Sequence, residues 1–324
     1  MNALPPTAYT RLLGQCVLSA YNAFAPQPLK LPVGWKVART ITGWVSTTGT
    51  EELFALVLRY TMDPPDTRCI IAFRGSITVG DWLNDFLSIL PTDFQPYPGG
   101  VVLPQMPLVG DGFQDIYVDV GQNASGLSMQ QQLFQALSAM PISQLIVTGH
   151  SLGSALAELF MFDYSLQKAN GRYRGIAAAW LVDYAAPCVG DGTWQQQYAT
   201  YCNPLFSGAW AQSIRLVNQC DIVTTLPPDL EQMAVEFDVQ FRLDDWYWEF
   251  EPGLQHSMLN YNFVVNQALA QPSHVWTGTF TDLSGSQATM ISLAPDAATT
   301  VALRARVQGM RARAPRRVSQ LEQI

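Results

Sequence analysis

Near the start of the chain apolar residues recur at every fourth position. Leu12, Cys16, Ala20 and Phe24 form one row, and Leu13, Val17 and Tyr21 form a second beside it. Two adjacent rows at this spacing predict an amphipathic helix. From Trp35 to Phe73 the pattern changes to strands. Leu53 to Tyr60 is rich in β-favouring residues, Asp63-Pro64-Pro65-Asp66 makes a turn, and Cys69-Ile70-Ile71-Ala72-Phe73 is a short apolar run suited to the inside of a sheet. Helical spacing returns at Asp81–Leu90, Phe113–Val120 and Met129–Met140, with a loop rich in proline and glycine between the first two. Leu145-Ile146-Val147-Thr148 predicts a further buried strand, followed by a helix through Ser154 to Phe160; Ala178–Ala186 and Ser213–Asn218 predict two more strands.

Strands that alternate with helices imply a mostly parallel sheet with helices on both faces, an α/β fold. Further on, Val235, Phe237, Val239, Phe241 and Leu243 alternate with polar residues, and Trp246, Trp248 and Phe250 do so again after Asp244-Asp245, which reads as a hairpin. Val275–Thr281 and Gln287–Leu293 around Ser284-Gly285 read as a second hairpin. No linker or repeat divides the chain, so one domain over residues 1–324 is expected, with an extension from about 295.

Composition alters this picture in two ways. Charged residues make up only 14% of the 324 residues and hydrophobic ones 48%, against about 25% charged in an average soluble domain. Such a surface suits an apolar partner such as lipid. The net charge of −8 is also uneven, because residues 301–324 carry six arginines against Glu322, a local +5 that leaves −13 on the remainder. An acidic body argues against nucleic-acid binding, and the Arg-rich end reads as a solvated tail. Five cysteines and three histidines show no metal-ligand spacing, so no metal or other cofactor is expected. No apolar run approaches the ~20 residues that span a bilayer. Arg11 ahead of a stretch ending Ala23-Phe24-Ala25 has the outline of a signal peptide, but Gln15, Ser19 and Asn22 interrupt it, and the helix is the better reading.

The chemistry centres on Gly149-His150-Ser151-Leu152-Gly153, set between a strand and a helix. This is the context of a nucleophile elbow, in which a serine sits at the tip of a sharp turn between small residues. Serine needs a base, and the downstream candidates are His256 and His274. His256 follows Glu251-Pro252-Gly253 in a loop and is the better placed, since His274 stands where a strand begins. His150 belongs to the elbow and should point away from Ser151. The acid that orients the base should lie at the carboxyl edge of the sheet. Asp221 follows a strand directly; Asp183, in mid-strand, and Asp191 are weaker candidates. Two oxyanion donors are needed: the backbone N–H of Leu152 supplies one, and Ser76, after Phe73-Arg74-Gly75, supplies the other.

These blocks resemble the class 3 lipase family of the filamentous-fungal triacylglycerol lipase type, which has the α/β-hydrolase fold. The resemblance is carried by Phe73-Arg74-Gly75-Ser76 with Asp81-Trp82-Leu83-Asn84-Asp85, by the elbow with Ala155-Leu156-Ala157, and by Ala186-Pro187 with Val189-Gly190-Asp191. Arg215 to Asp221 with Leu226-Pro227-Pro228, and His256 with Tyr261, complete it. It implies Ser151 as nucleophile, Asp221 as acid, His256 as base, and Ser76 with Leu152 as oxyanion hole. Cys188, Ser154 and Gly110 depart from the family pattern without touching these residues.

The resemblance also implies a helical lid at about 77–90. On a helical wheel Trp82, Leu83, Phe86, Leu87, Ile89 and Leu90 share one side; the first four are the expected lid and substrate-binding residues, and a fixed surface helix is the alternative. The expected activity is ester hydrolysis on acylglycerols at a lipid–water interface. Phospholipase A1 or feruloyl esterase activity on the same scaffold and, more remotely, non-catalytic lipid binding are the alternatives.

Overall fold

The short apolar runs become the centre of one sheet. In the computed structural model, which describes residues 7–24, 29–61, 67–76, 86–205, 213–218, 221–231, 237–243, 255–270, 278–281 and 287–291, strands β1 (Trp35–Val45), β2 (Thr50–Tyr60) and β3 (Arg68–Phe73) lie side by side. After β4 (Pro91–Asp93) and β5 (Leu108–Gly110), which form a separate two-stranded sheet, β6 (Gln144–His150), β7 (Ala178–Tyr184), β8 (Ser213–Asn218) and β9 (Phe237–Leu243) continue the sheet from β3. The hairpin β10 (Gly278–Thr281) and β11 (Gln287–Ile291) closes its far side in the order β9-β11-β10.

The five central strands β3, β6, β7, β8 and β9 are parallel, and both wings are antiparallel. The expected parallel sheet is therefore its middle. Between β1 and β2 only residues 46–49 intervene, too few for a parallel crossover.

Alternation along the central strands divides the interior into two cores. Ile70, Ala72 and Ile146 face one side, where they meet Leu13, Cys16, Val17 and Ala20 of helix α1 (Thr7–Phe24), all fully buried. Cys69, Ile71, Phe73, Leu145 and Val147 face the other. Helices α2 (Asp111–Val118), α3 (Met129–Ala139), α4 (Leu152–Ala169) and α5 (Gly192–Cys202) contribute to that second core. Helix α6 (Met258–Ala270) packs beside α1. The two rows at the N-terminus are thus the buried side of α1, with Phe24 left partly exposed where the helix ends.

Some expectations shift. Residues 86–88 are helical but Leu90 lies beyond the helix and is exposed. Its backbone is held by Asp111, whose carboxylate accepts from the Leu90 N–H at 3.0 Å and from the Gly112 N–H at 2.7 Å. The apolar side of that segment therefore stops at Ile89. β9 forms as expected, but residues 240–243 have β8 or β11 as neighbours, and the expected hairpin partner at 246–250 lies outside the described residues. Period-two alternation identifies a strand's faces and carries no information about its neighbour. His274 and the Arg-rich extension also lie outside the described residues. Cys16, Cys69, Cys188 and Cys202 are all buried.

Behind the elbow helix two acids are buried with one arginine. Glu158 on α4, Asp183 on β7 and Arg215 on β8 are all buried, Tyr198 of α5 faces both acids, and Cys202 of α5 faces Glu158. Desolvation raises the pKa of both carboxyls, against the pull of Arg215, Glu158 to about 8. The folded chain therefore holds a proton on Glu158 that the unfolded chain has released. Stability is full below the ordinary glutamate range and is lost as pH rises towards about 8, at up to ~1.4 kcal/mol per pH unit. Glu158→Gln keeps the shape and removes the titration. Melting temperatures between pH 5 and 8.5 are expected to fall less steeply in this variant than in the parent; equal slopes would contradict the assignment.

Candidate active site

Ser151 caps the N-terminus of α4 with φ 58° and ψ −131°. A non-glycine residue with positive φ costs free energy, and the surroundings must impose it. Here β6 runs straight into α4, and the turn is compressed against its neighbours. A Cβ on Gly149 would lie 2.3 Å from the Gly153 carbonyl oxygen, and one on Gly153 would lie 2.5 Å from that of Arg74. Both positions therefore need glycine. The Ser151 N–H donates to the Tyr184 carbonyl at 3.0 Å, and Ser154 Oγ donates to the same oxygen, also at 3.0 Å. Ser154, unusual for the family pattern, thus pins α4 to the end of β7. The next residue, Ala185, also has positive φ, 53°, and nothing in the sequence marks it.

Asp221 follows β8 at the carboxyl edge of the sheet and is fully buried. Its Oδ1 accepts from the Val223 N–H at 3.0 Å. Its Oδ2 lies 2.7 Å from His256 Nδ1 and accepts from the Tyr261 hydroxyl at 2.8 Å. A carboxylate can only accept, so His256 carries its proton on Nδ1, and Nε2 is left as the basic nitrogen. The Tyr261 hydroxyl also accepts from the Asn218 N–H at 2.9 Å. The Asn218 side chain donates to the Gln255 carbonyl at 3.0 Å and to Gln255 Oε1 at 2.7 Å. The end of β8 therefore holds both Asp221 and the segment that bears His256.

His256 is thus joined to Asp221. Asp183 lies instead in the buried cluster behind α4, and Asp191 caps α5 by accepting from the Trp194 N–H at 2.8 Å. His150 does point away from Ser151's role. Its ring lies between Tyr21 of α1 and the His256 main chain, with ring centroids of His150 and His256 4.7 Å apart. Tyr21, Asn218 and Gln255 had no signal in the sequence as site residues. Tyr21 occupies a place in an apolar helical row, and nothing in its spacing reveals that its hydroxyl is used.

Ser76 and Leu152 line one cavity of about 430 Å³ together with Phe24, Phe54, Phe86, Ile89, Phe113 and Ile116. Gly75 brings the preceding loop against the elbow: a Cβ there would lie 2.8 Å from Ser151 Cβ. Of the expected lid residues, Trp82 and Leu83 lie outside the described residues. Phe86 is buried against Phe113 and lines the cavity, whereas Leu87 is buried in the core. Among the described lining residues the single cation is Arg74, which donates to Glu52 at 2.7 Å and lies over the rings of Phe24 and Phe54. Asp111 and Asp115 line the same space. Among the described residues no group of three or more His, Cys, Asp or Glu could hold a metal ion, and no helix is long and apolar enough to cross a membrane.

Residues 70–231, half of the chain, match the family model described as Lipase (class 3). The chain belongs to the class 3 lipase family. It is 29% identical over 191 residues to an Arabidopsis thaliana chloroplastic phospholipase A1-Ialpha2, covering 56% of this chain and 36% of that protein. It is 32% identical over 160 residues to a Rhizomucor miehei lipase, covering 49% and 37%. The chain thus spans only about a third to a half of the length of the curated relatives it matches first. Among solved structures, the native Rhizomucor miehei lipase propeptide complex aligns with a TM-score of 0.51 at 21% identity, over 93% of this chain and 78% of that one. This likeness carries the α/β-hydrolase fold. In this class 3 lipase the candidate base, His256, and the helix α1 both lie outside the stretch matched to the family model.

Proposed function

We propose that this class 3 lipase is a serine carboxylic-ester hydrolase acting on acylglycerols. The observation that carries the reading is the 2.7 Å contact between His256 Nδ1 and Asp221, at the same sheet edge as a serine held at φ 58°. His256 Nε2 takes the proton of Ser151 as Oγ attacks the ester carbonyl. The backbone N–H of Leu152, with Ser76, stabilises the oxyanion. The protonated imidazole then gives its proton to the leaving alcohol. Water, deprotonated by the same nitrogen, hydrolyses the acyl-enzyme. Of the lid segment expected from the resemblance, Phe86 and Ile89 contribute apolar wall to the cavity.

The charge of the cavity supports an uncharged lipid. Among the described lining residues a phosphodiester would meet Asp111 and Asp115 and no cation other than Arg74, which Glu52 already engages. Asp111 is committed to backbone N–H groups. Burial and the charges of Asp119 and Asp111 raise the Asp115 pKa, the signature of a crowded acidic wall. Phospholipase A1 activity is the second reading, favoured by the relatives in Arabidopsis and rice.

Hydrolysis rates on emulsified trioleoylglycerol, phosphatidylcholine, phosphatidylglycerol and methyl ferulate test the choice. Trioleoylglycerol is expected to be fastest and phosphatidylglycerol slowest of the three lipids. Asp115→Asn should raise the phosphatidylglycerol rate relative to trioleoylglycerol about fivefold, roughly 1 kcal/mol of relieved repulsion at an exposed charge. A parent enzyme faster on phosphatidylglycerol would overturn the acylglycerol reading in favour of the phospholipase.

A further inference from the structure

The ring of His150 lies between two segments that the family match does not include. Its Nδ1 is 2.8 Å from the Tyr21 hydroxyl of α1, and its Nε2 is 2.8 Å from the main-chain carbonyl of His256. We propose that Tyr21 and His150 are positioning residues that hold the base, His256, by its own carbonyl. The proposal rests on the assignment of Ser151, His256 and Asp221 made above.

The direction of the hydrogen bonds follows from chemistry. A carbonyl can only accept, so His150 must carry a proton on Nε2. The ring is buried beside a second imidazole, and desolvation followed by the charge of His256 lowers its pKa well below the usual histidine range. It is therefore neutral, with one proton, and Nδ1 is a bare acceptor. The Tyr21 hydroxyl must then be the donor to Nδ1. Its own pKa is raised by burial, so it keeps that proton, and its oxygen faces the Gly75 N–H of the oxyanion loop. One polarity runs through the set: Tyr21 O–H to His150 Nδ1, then His150 Nε2–H to the His256 carbonyl. Tyr21 selects the tautomer that can hold the carbonyl; the other tautomer would set two acceptors against each other.

This grip adds to that of Asn218, whose side chain holds the carbonyl of Gln255. Two successive carbonyls of the base segment are thus anchored, one from β8 and one from the elbow itself. The second anchor ties the base to the residue that precedes the nucleophile. Ser151 and His256 therefore move together, and their separation is set over one side chain. A misplacement of about 1 Å between reacting groups can cost on the order of 10²-fold in rate.

The test uses the full chain with a soluble p-nitrophenyl ester, comparing His150→Phe, His150→Gln, Tyr21→Phe and the double variant Tyr21→Phe/His150→Gln. His150→Phe keeps an aromatic ring but offers the carbonyl no donor, and kcat/KM should fall about 10²-fold, in kcat more than in KM. Gln places an amide N–H near the Nε2 position and should recover activity to within about tenfold of the parent. Tyr21→Phe should lower kcat/KM several-fold in the parent and much less in the His150→Gln background, because an amide has no tautomer to select. A purely structural hydroxyl would cost the same in both backgrounds, and that result overturns the proposal, as does parental kcat/KM in folded His150→Phe. Should His150→Phe not fold, the Tyr21 comparison still decides. Ser151→Ala, assayed beside them, separates the two failures: if it retains activity, the triad assignment is wrong; if it is inactive while Tyr21→Phe shows equal costs, only the positioning role is.

Discussion

Ser151→Ala is expected to lower kcat/KM for soluble and emulsified esters by on the order of 10⁵- to 10⁶-fold. On the proposed mechanism the variant lacks the nucleophile that forms the acyl-enzyme, so the two-step route closes. What survives is the proposed oxyanion hole of Ser76 and Leu152, able to support on the order of 10³-fold acceleration of direct attack by water. The substitution should leave folding intact. Ser151 Oγ has no cap hydrogen bond to the helix it precedes, and alanine meets the same positive φ that serine already bears. Labelling by a fluorophosphonate should disappear with the activity, whereas the melting temperature should stay within a few degrees of the parent. A folded Ser151→Ala variant with more than a tenth of the parental rate would remove the nucleophile from the proposal. A parent chain that neither labels nor hydrolyses would instead support non-catalytic lipid binding.

The elbow could be read from the sequence because its causes are local. A buried strand, glycines at 149 and 153 and a helix of small residues are adjacent in the chain, and the crowding that requires those glycines involves the elbow's own backbone and the neighbouring end of β3. Asp221 was legible for a similar reason: it follows closely on a strand that the sequence predicts. His256 was chosen among few histidines, and its contact with Asp221 comes from β8 and the start of α6, which no local pattern joins. The supports around these groups were not legible. Tyr21 and His150 are 129 positions apart, and the hydroxyl that matters sits on a residue whose spacing reports only burial. Glu158 and Asp183 look like ordinary polar positions in a helix and a strand; their burial appears only when α5 covers them. At Leu90 the wheel placed an apolar residue on a buried side, but the Asp111 carboxylate ends the helix first.

Asp221→Asn is expected to lower kcat/KM about 10⁴-fold while keeping the fold, the second largest loss. The reason lies in the count of acceptors. Aspartate presents two oxygens that accept from three donors: Val223 N–H at Oδ1, and His256 Nδ1–H and Tyr261 O–H at Oδ2. Asparagine has a single acceptor oxygen. If the oxygen stays towards Val223, the amide N–H faces His256 Nδ1. The imidazole must then place its proton on Nε2, where it cannot take one from Ser151. If the amide turns over, its N–H faces the Val223 N–H, two donors are opposed in a buried site, and the turn after β8 is destabilised by roughly 1–3 kcal/mol. The first arrangement keeps the backbone in place and is favoured, so the loss should appear in kcat with little change in KM or melting temperature. Tyr261→Phe removes one of the three donors and leaves the His256 tautomer intact, so its cost should be about tenfold. If Asp221→Asn stayed within tenfold of the parent while Ser151→Ala was inactive, the acid would have to be sought elsewhere. The buried Asp183 would not serve, because it is enclosed with Glu158 and Arg215, where desolvation raises its pKa.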